Sequence, residues 1–213
     1  MIVLIGGEKG GTGKSTAATN LAVWCALEGM KAILLDADPQ GTSRNWNDRR
    51  IGAGGLPAIP CQAGAGNIFN HVQDLTKLYE HVIIDAGGRD SKELRSAAVV
   101  ADTWYTPVQA SQPDLETLSK VRELAQQAQA MNQGLSIHAF ITRAPTHPNI
   151  DELAEARSLI ADFPDFPELR LADSVIFERK AYRDAMIEGK SVIESGNSKA
   201  KAEIQLLAQE IFQ

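Results

Sequence analysis

The 213-residue chain has 21 Lys and Arg against 27 Asp and Glu, a formal net charge of −6, with 44% hydrophobic residues, 17 glycines and 9 prolines. This composition argues against disorder and against a protein held on DNA or an anionic membrane by its overall field, so any such binding needs a local basic patch. The length suits one sizeable core, and Cys25, Cys61 and the four histidines (His71, His81, His138, His147) lack metal-ligand spacing, as expected of idle thiols in a reducing cytoplasm.

The apolar run Met1–Ile5 stops at glycines, too short for a signal peptide or a membrane span, and reads as a buried first strand. A helix is expected over Thr16–Leu27, closed by Gly29, then a strand at Ala32–Leu35 and a helix over Thr42–Arg50. Gly52–Pro60 reads as a surface loop or weak edge strand. Next come a helix over Gly66–Leu78, a strand at Val82–Ile84, a helix over Ser91–Val100 and a strand at Thr103–Thr106. A long helix, Asp114–Met131, is opened by Pro113. A strand at Ile137–Ile141 precedes helices over Asp151–Phe163, Glu178–Glu188 and Ser198–Phe212. This alternation predicts the α/β class: a single domain with a mostly parallel twisted sheet, helices on both faces and right-handed crossovers. No linker divides the chain.

Between the first strand and the first helix stands G-G-E-K-G-G-T-G-K-S-T, Gly6–Thr16. Gly10, Gly11 and Gly13 let successive N–H groups, with that of Thr12, converge on one anion, and the helix beginning near Thr16 adds its positive end. Lys14 is placed to neutralise the β and γ phosphates of a nucleotide, and the Ser15 hydroxyl to ligate Mg²⁺. Asp36, Asp38 and Pro39 follow the second strand, at the crevice end of a parallel sheet. The strand of His81–Ile84 ends in Asp85, a carboxylate suited to Mg²⁺, and Gly87 and Gly88 permit a backbone switch beyond it.

The stretch Lys9–Ser15, K-G-G-T-G-K-S, resembles the deviant Walker A motif of the ParA/MinD superfamily of ATPases, in which Glu8 can stand at the position of the first glycine. The resemblance implies that Lys9 crosses the interface of an ATP-sandwiched homodimer and acts in trans, much as an arginine finger does. Asp36-Ala37-Asp38-Pro39-Gln40 is similar to the family's switch I, which implies that Asp38 orients the attacking water and Asp36 supports Mg²⁺ through water. Pro107 and Pro113 resemble a segment that helps form the nucleotide-bound dimer, and Thr142-Arg143 stands where family members contact the base. The bare reading of those prolines, a loop shaped between strand and helix, is equally open.

Val175–Glu194 resembles the family's C-terminal pattern, with Arg179, Tyr182, Ala185, Gly189 and Val192 in register. With its phosphate loop beginning at Gly7, the chain is expected to lack an N-terminal helix-turn-helix domain and to be of the small, ParF-like type. The resemblance implies partner-stimulated ATP hydrolysis and a cytoplasmic protein that joins the nucleoid in its ATP state. There the dimer would hold nonspecific DNA, and a ParB-type centromere-binding adaptor would trigger release. Arg179, Lys180, Arg183, Lys199 and Lys201 are the candidate DNA patch, against a solvated mixed-charge surface as the other reading. The last helix, with Ile204, Leu207, Ala208 and Ile211 on one face, is expected to pack on the core rather than on a membrane. A positioning ATPase for a protein organelle or cluster, and a metabolic P-loop synthetase, are the alternative functions.

Overall fold

The computed structural model describes residues 1–88, 90–109, 117–146, 150–161, 163, 166 and 168–213. Seven strands form one sheet in the spatial order β3-β2-β4-β1-β5-β6-β7, every pair parallel. The strands are β1 (Ile2–Ile5), β2 (Ala32–Ala37), β3 (Cys61–Ala63), β4 (His81–Ala86), β5 (Thr103–Gln109), β6 (Ser136–Ala144) and β7 (Leu169–Phe177). The described α-helices are α1 (Lys14–Leu27), α2 (Thr42–Ala53), α3 (Phe69–Thr76), α4 (Lys92–Val100), α5 (Leu118–Gln129), α6 (Ile150–Ala161), α7 (Lys180–Glu188) and α8 (Ser198–Phe212).

Alternation along each central strand splits the core into two layers. Val3, Ile5, Leu34 and Ile83 pack with α1, α2, α7 and α8 on one face. Ile2, Leu4, Ile33, Leu35 and Ile84 pack with α3, α4 and α5 on the other. Strands covered on both faces have no polar side, which is why they read as continuous apolar runs. As expected, Ile204, Leu207, Ala208 and Ile211 of α8 are buried in the first layer.

Two edge strands depart from the sequence reading. The strand beside β2 is Cys61–Ala63, just after the Gly52–Pro60 stretch, and its three residues are too few for a pattern. β7 was not expected because Asp173-Ser174 interrupts it. The Glu210 carboxylate of α8 takes the N–H groups of both residues and the Ser174 hydroxyl, while the β6–β7 register shifts nearby, between Ala139 and Ile141. The helix expected from Asp114 has its described part at Leu118–Gln129; Pro113 and Asp114 lie outside the described residues.

The site is positioned by the C-terminal ends of β2, β4 and β1. Asp36 pairs in register with Asp85, and Asp85 with Ile5, the last residue before the phosphate loop. Chain order turns back at β1, which has β4 on one side and β5 on the other, the switch point at which ligands of open α/β sheets lie.

Candidate nucleotide site

The loop leaves β1 through Gly6 and Gly7, where a side chain would collide. A Cβ on Gly7 would lie 2.8 Å from Thr106 Oγ1, and one on Gly6 2.7 Å from Leu94 Cδ1. Gly11 (φ 78°) and Gly13 (φ 94°) then take left-handed conformations that turn the chain into α1. Glu8 turns elsewhere: burial and the nearby Asp90 raise its carboxyl pKa, and its Oε1 is buried without a hydrogen-bond partner. Lys14 is 6% exposed, its Nζ donating to Lys9 O at 2.6 Å, and burial lowers its pKa. That lysine, with Gly10, Gly11, Gly13, Ser15 and Thr16, lines a crevice of about 630 Å³, whereas the half-buried Lys9 side chain does not line it. Thr12, within the loop, is buried.

Across from the loop, Asp85 is fully buried, and burial raises its pKa to about 7. Its Oδ2 accepts from Ser43 Oγ at 2.6 Å, while Oδ1 is buried without a hydrogen-bond partner. The Ser15 hydroxyl lies close enough to this carboxylate to hold its pKa down against burial, and together they are a donor set that a hard divalent cation fits. Asp36, also buried, spends its carboxylate on the backbone: it accepts from Asp38 N at 3.1 Å and Arg44 N at 2.8 Å, so it shapes the loop into α2. Asp38 lines the crevice and caps Gln40 N at 2.9 Å, with Pro39 between them. A Cβ on Gly87 would lie 3.0 Å from Asp38 Cγ, and one on Gly88 3.0 Å from Gly10 N, so glycine permits the close approach of the segment after β4 to both.

The far wall comes from β6, β7, α7 and the turn between the last two: Thr142, Arg143, Phe177, Glu178, Tyr182 and Met186. Glu203, buried in α8, holds this wall by accepting from Arg179 Nε at 2.6 Å and Tyr182 Oη at 2.9 Å.

Several sequence candidates have unexpected surroundings. Pro107 is buried in β5 opposite Phe140, away from the crevice. Proline is tolerated there because β1 has ended: Gly6 N donates to Tyr105 O, and Pro107, two residues on, faces the same now unpaired side. Pro113 lies outside the described residues. In the basic group, Arg179 is tied to Glu203, Arg183 to Glu178 at 2.6 Å and Lys180 to Asp184 at 3.3 Å; Lys199 is exposed and Lys201 half-exposed on the first turn of α8. Ser43 and Asn20 were missed by the sequence reading. Asn20 Oδ1 accepts from Ser191 Oγ and Val192 N, linking α1 to the C-terminal segment, and no local motif marks either residue.

A glycine loop at a helix start, a buried lysine and two carboxylates at neighbouring strand ends define a P-loop nucleotide-binding protein of the α/β class. The model of the CobQ/CobB/MinD/ParA nucleotide binding domain matches residues 3–192, and the chain belongs to that family as a ParA/MinD-type ATPase. It is 26% identical over 216 residues to the Maintenance of carboxysome distribution protein A of Gloeobacter kilaueensis, covering 99% of this chain and 93% of that protein. Among solved structures it resembles the ATP complex of McdA from Cyanothece (TM-score 0.73, 16% identity, 99% of this chain and 95% of that one). A plasmid partition protein from Borrelia burgdorferi shares the fold at TM-score 0.66 and 18% identity, covering 98% of both chains.

Proposed function

We propose that this ATPase is a nucleotide-switched positioning protein: ATP joins two copies, the dimer holds nonspecific DNA, and a partner-stimulated hydrolysis step releases it. The observation that carries this reading is the close approach of Gly87 to Asp38 and of Gly88 to Lys9-Gly10, which puts the segment after β4 against both. A γ-phosphate arriving at the loop meets both the Asp38 segment and the Gly87-Gly88 segment at once, which would convert the nucleotide state into a surface change. A metabolic synthetase has no evident use for Lys9, a lysine outside the crevice its own loop forms.

Within this reading Lys14 faces the β and γ phosphates and Asp38 orients water. Lys9 supplies charge to the partner's nucleotide. Ser15 and Asp85 would hold Mg²⁺, with Asp36 behind them; the bound ion would offset charge on the transferring phosphoryl group. DNA contact falls chiefly to Lys199 and Lys201, doubled in the dimer, since affinity rises steeply with the number of phosphates neutralised. The likeness along nearly the whole chain to a carboxysome-distribution protein supports a protein assembly as cargo. The register of Arg179, Tyr182, Ala185, Gly189 and Val192 supports the second reading, a plasmid or chromosome carried through a centromere-binding adaptor.

The test is retention on nonspecific duplex DNA at low salt with ATP and Mg²⁺, with ADP and Mg²⁺, or with no nucleotide. Retention is expected only with ATP, and Asp38→Ala should prolong it. Lys9→Ala should still bind ATP but hydrolyse it on the order of a hundredfold more slowly. Equal turnover by the Lys9 variant would remove the trans role, and retention independent of nucleotide would remove the cycle.

A further inference from the structure

Within one rigid peptide plane the carbonyl of a residue and the N–H of the next point in opposite directions. Fixing a phosphate-loop carbonyl therefore fixes the direction of the N–H that follows it. Two consecutive loop carbonyls are fixed by side chains from the end of β6 that also line the crevice. Arg143 Nη1 donates to Gly11 O at 2.9 Å, and Thr142 Oγ1 donates to Thr12 O at 2.8 Å.

Adjacent strand residues ordinarily point to opposite faces of the sheet, so both could not reach one loop. Arg143 escapes this limit with φ 50°, the one positive φ outside glycine among the described residues. A left-handed non-glycine residue is disfavoured and persists where its surroundings hold it. Here the guanidinium is also fixed from behind: Arg143 Nε donates to Glu178 Oε2 at 2.7 Å, and Arg183 Nη1 to Glu178 Oε1 at 2.6 Å. Thr142 itself is 1% exposed.

We infer that Thr142 and Arg143 form a clamp that sets the peptide planes of the phosphate loop, presenting the Thr12 and Gly13 N–H groups to the phosphates. Arg143 is thus a positioning residue for the polyphosphate rather than a contact for the base. This inference rests on reading the crevice as a nucleotide site.

The experiment measures equilibrium binding of ATP, ADP and adenosine, together with thermal melting, for the full chain and three variants. Arg143→Gly suits the left-handed backbone and removes the clamp. It should bind ATP and ADP about tenfold more weakly, with adenosine binding unchanged and no fall in melting temperature. Thr142→Val, nearly isosteric, should weaken ATP and ADP in the same selective way by roughly three- to tenfold. Arg143→Lys, unable to span Gly11 O and Glu178 together, should lie between the parent and Arg143→Gly.

Undiminished ATP affinity in Arg143→Gly and Thr142→Val would overturn the clamp. Equal losses for ATP and adenosine would overturn it in favour of a base contact. A parent that binds neither ATP nor ADP would instead overturn the nucleotide reading, a failure distinguishable from that of the clamp.

Discussion

Lys14→Met is expected to abolish the rise in melting temperature that ATP and Mg²⁺ give the parent, while the free variant melts slightly higher than the free parent. Both effects follow from one position. The Lys14 ammonium is buried and its pKa is lowered by desolvation, so the free fold holds a cation at a cost. Methionine keeps the length of the stem and its packing without the charge, which should stabilise the free protein by about 1 kcal/mol, or roughly 2–4 °C. Two charge-assisted contacts to phosphate oxygens, at about 1.5–3 kcal/mol each, disappear with the ammonium. The affinity should then fall by at least a hundredfold. Ligand at a hundred times the parent's Kd stabilises it by about 2.7 kcal/mol, and nearly all of that should be missing from the variant. A parental ATP-dependent shift in Lys14→Met would show that the loop binds no polyphosphate through this residue.

The parts of the site legible in the sequence are those built within a few residues of a strand end. Gly10 to Ser15 follow β1, Asp36 and Asp38 follow the apolar part of β2, and Asp85 closes the apolar part of β4, so a short apolar run and its sequel suffice to find them. The parts that were not legible depend on partners far along the chain. Ser43 finds Asp85 and Thr142 finds Thr12, both through tertiary contacts that no spacing encodes. The edge strand β7 tolerates Asp173-Ser174 because Glu210, from the last helix, supplies the missing hydrogen bonds. Pro107 reads as a loop former, yet the end of β1 leaves an unpaired side of β5 on which proline costs no ladder bond. The candidate basic patch likewise looks continuous in sequence, but Glu203, Glu178 and Asp184 engage three of its members.

Glu194→Ala should produce the largest loss of stability, about 3–5 kcal/mol, because it strands a buried cation. Arg50, in the last turn of α2, has a side chain 2% exposed, and its Nη1 and Nη2 donate to the two oxygens of Glu194 at 2.8 and 2.7 Å. Burial alone would raise the Glu194 pKa; the Arg50 guanidinium and the Ser191 N–H more than offset it and hold the carboxyl below its ordinary range. The same carboxylate closes a capping box with Ser191, whose hydroxyl reaches Asn20 of α1. Gly189, at φ 68°, lets the backbone turn so close to α2 that a Cβ would meet Arg50 N at 2.3 Å. With the carboxylate gone, Arg50 keeps the Pro57 and Gly189 carbonyls and the face of Trp46 but no counter-charge, and the melting temperature should fall by roughly 10 °C. Trp46, fully buried in α2 with its Nε1 on Lys190 O, reports the same opening by fluorescence. Glu194→Gln keeps an acceptor and should lose less, and the double change Arg50→Met with Glu194→Leu should recover much of the loss, since apolar groups replace both charges. A loss below about 1 kcal/mol in Glu194→Ala would mean that water or a shifted Arg50 already satisfies the charge. The expected loss would place the anchor of α2 at this pair, at the opposite end of the helix from the Ser43 and Arg44 contacts with Asp85 and Asp36.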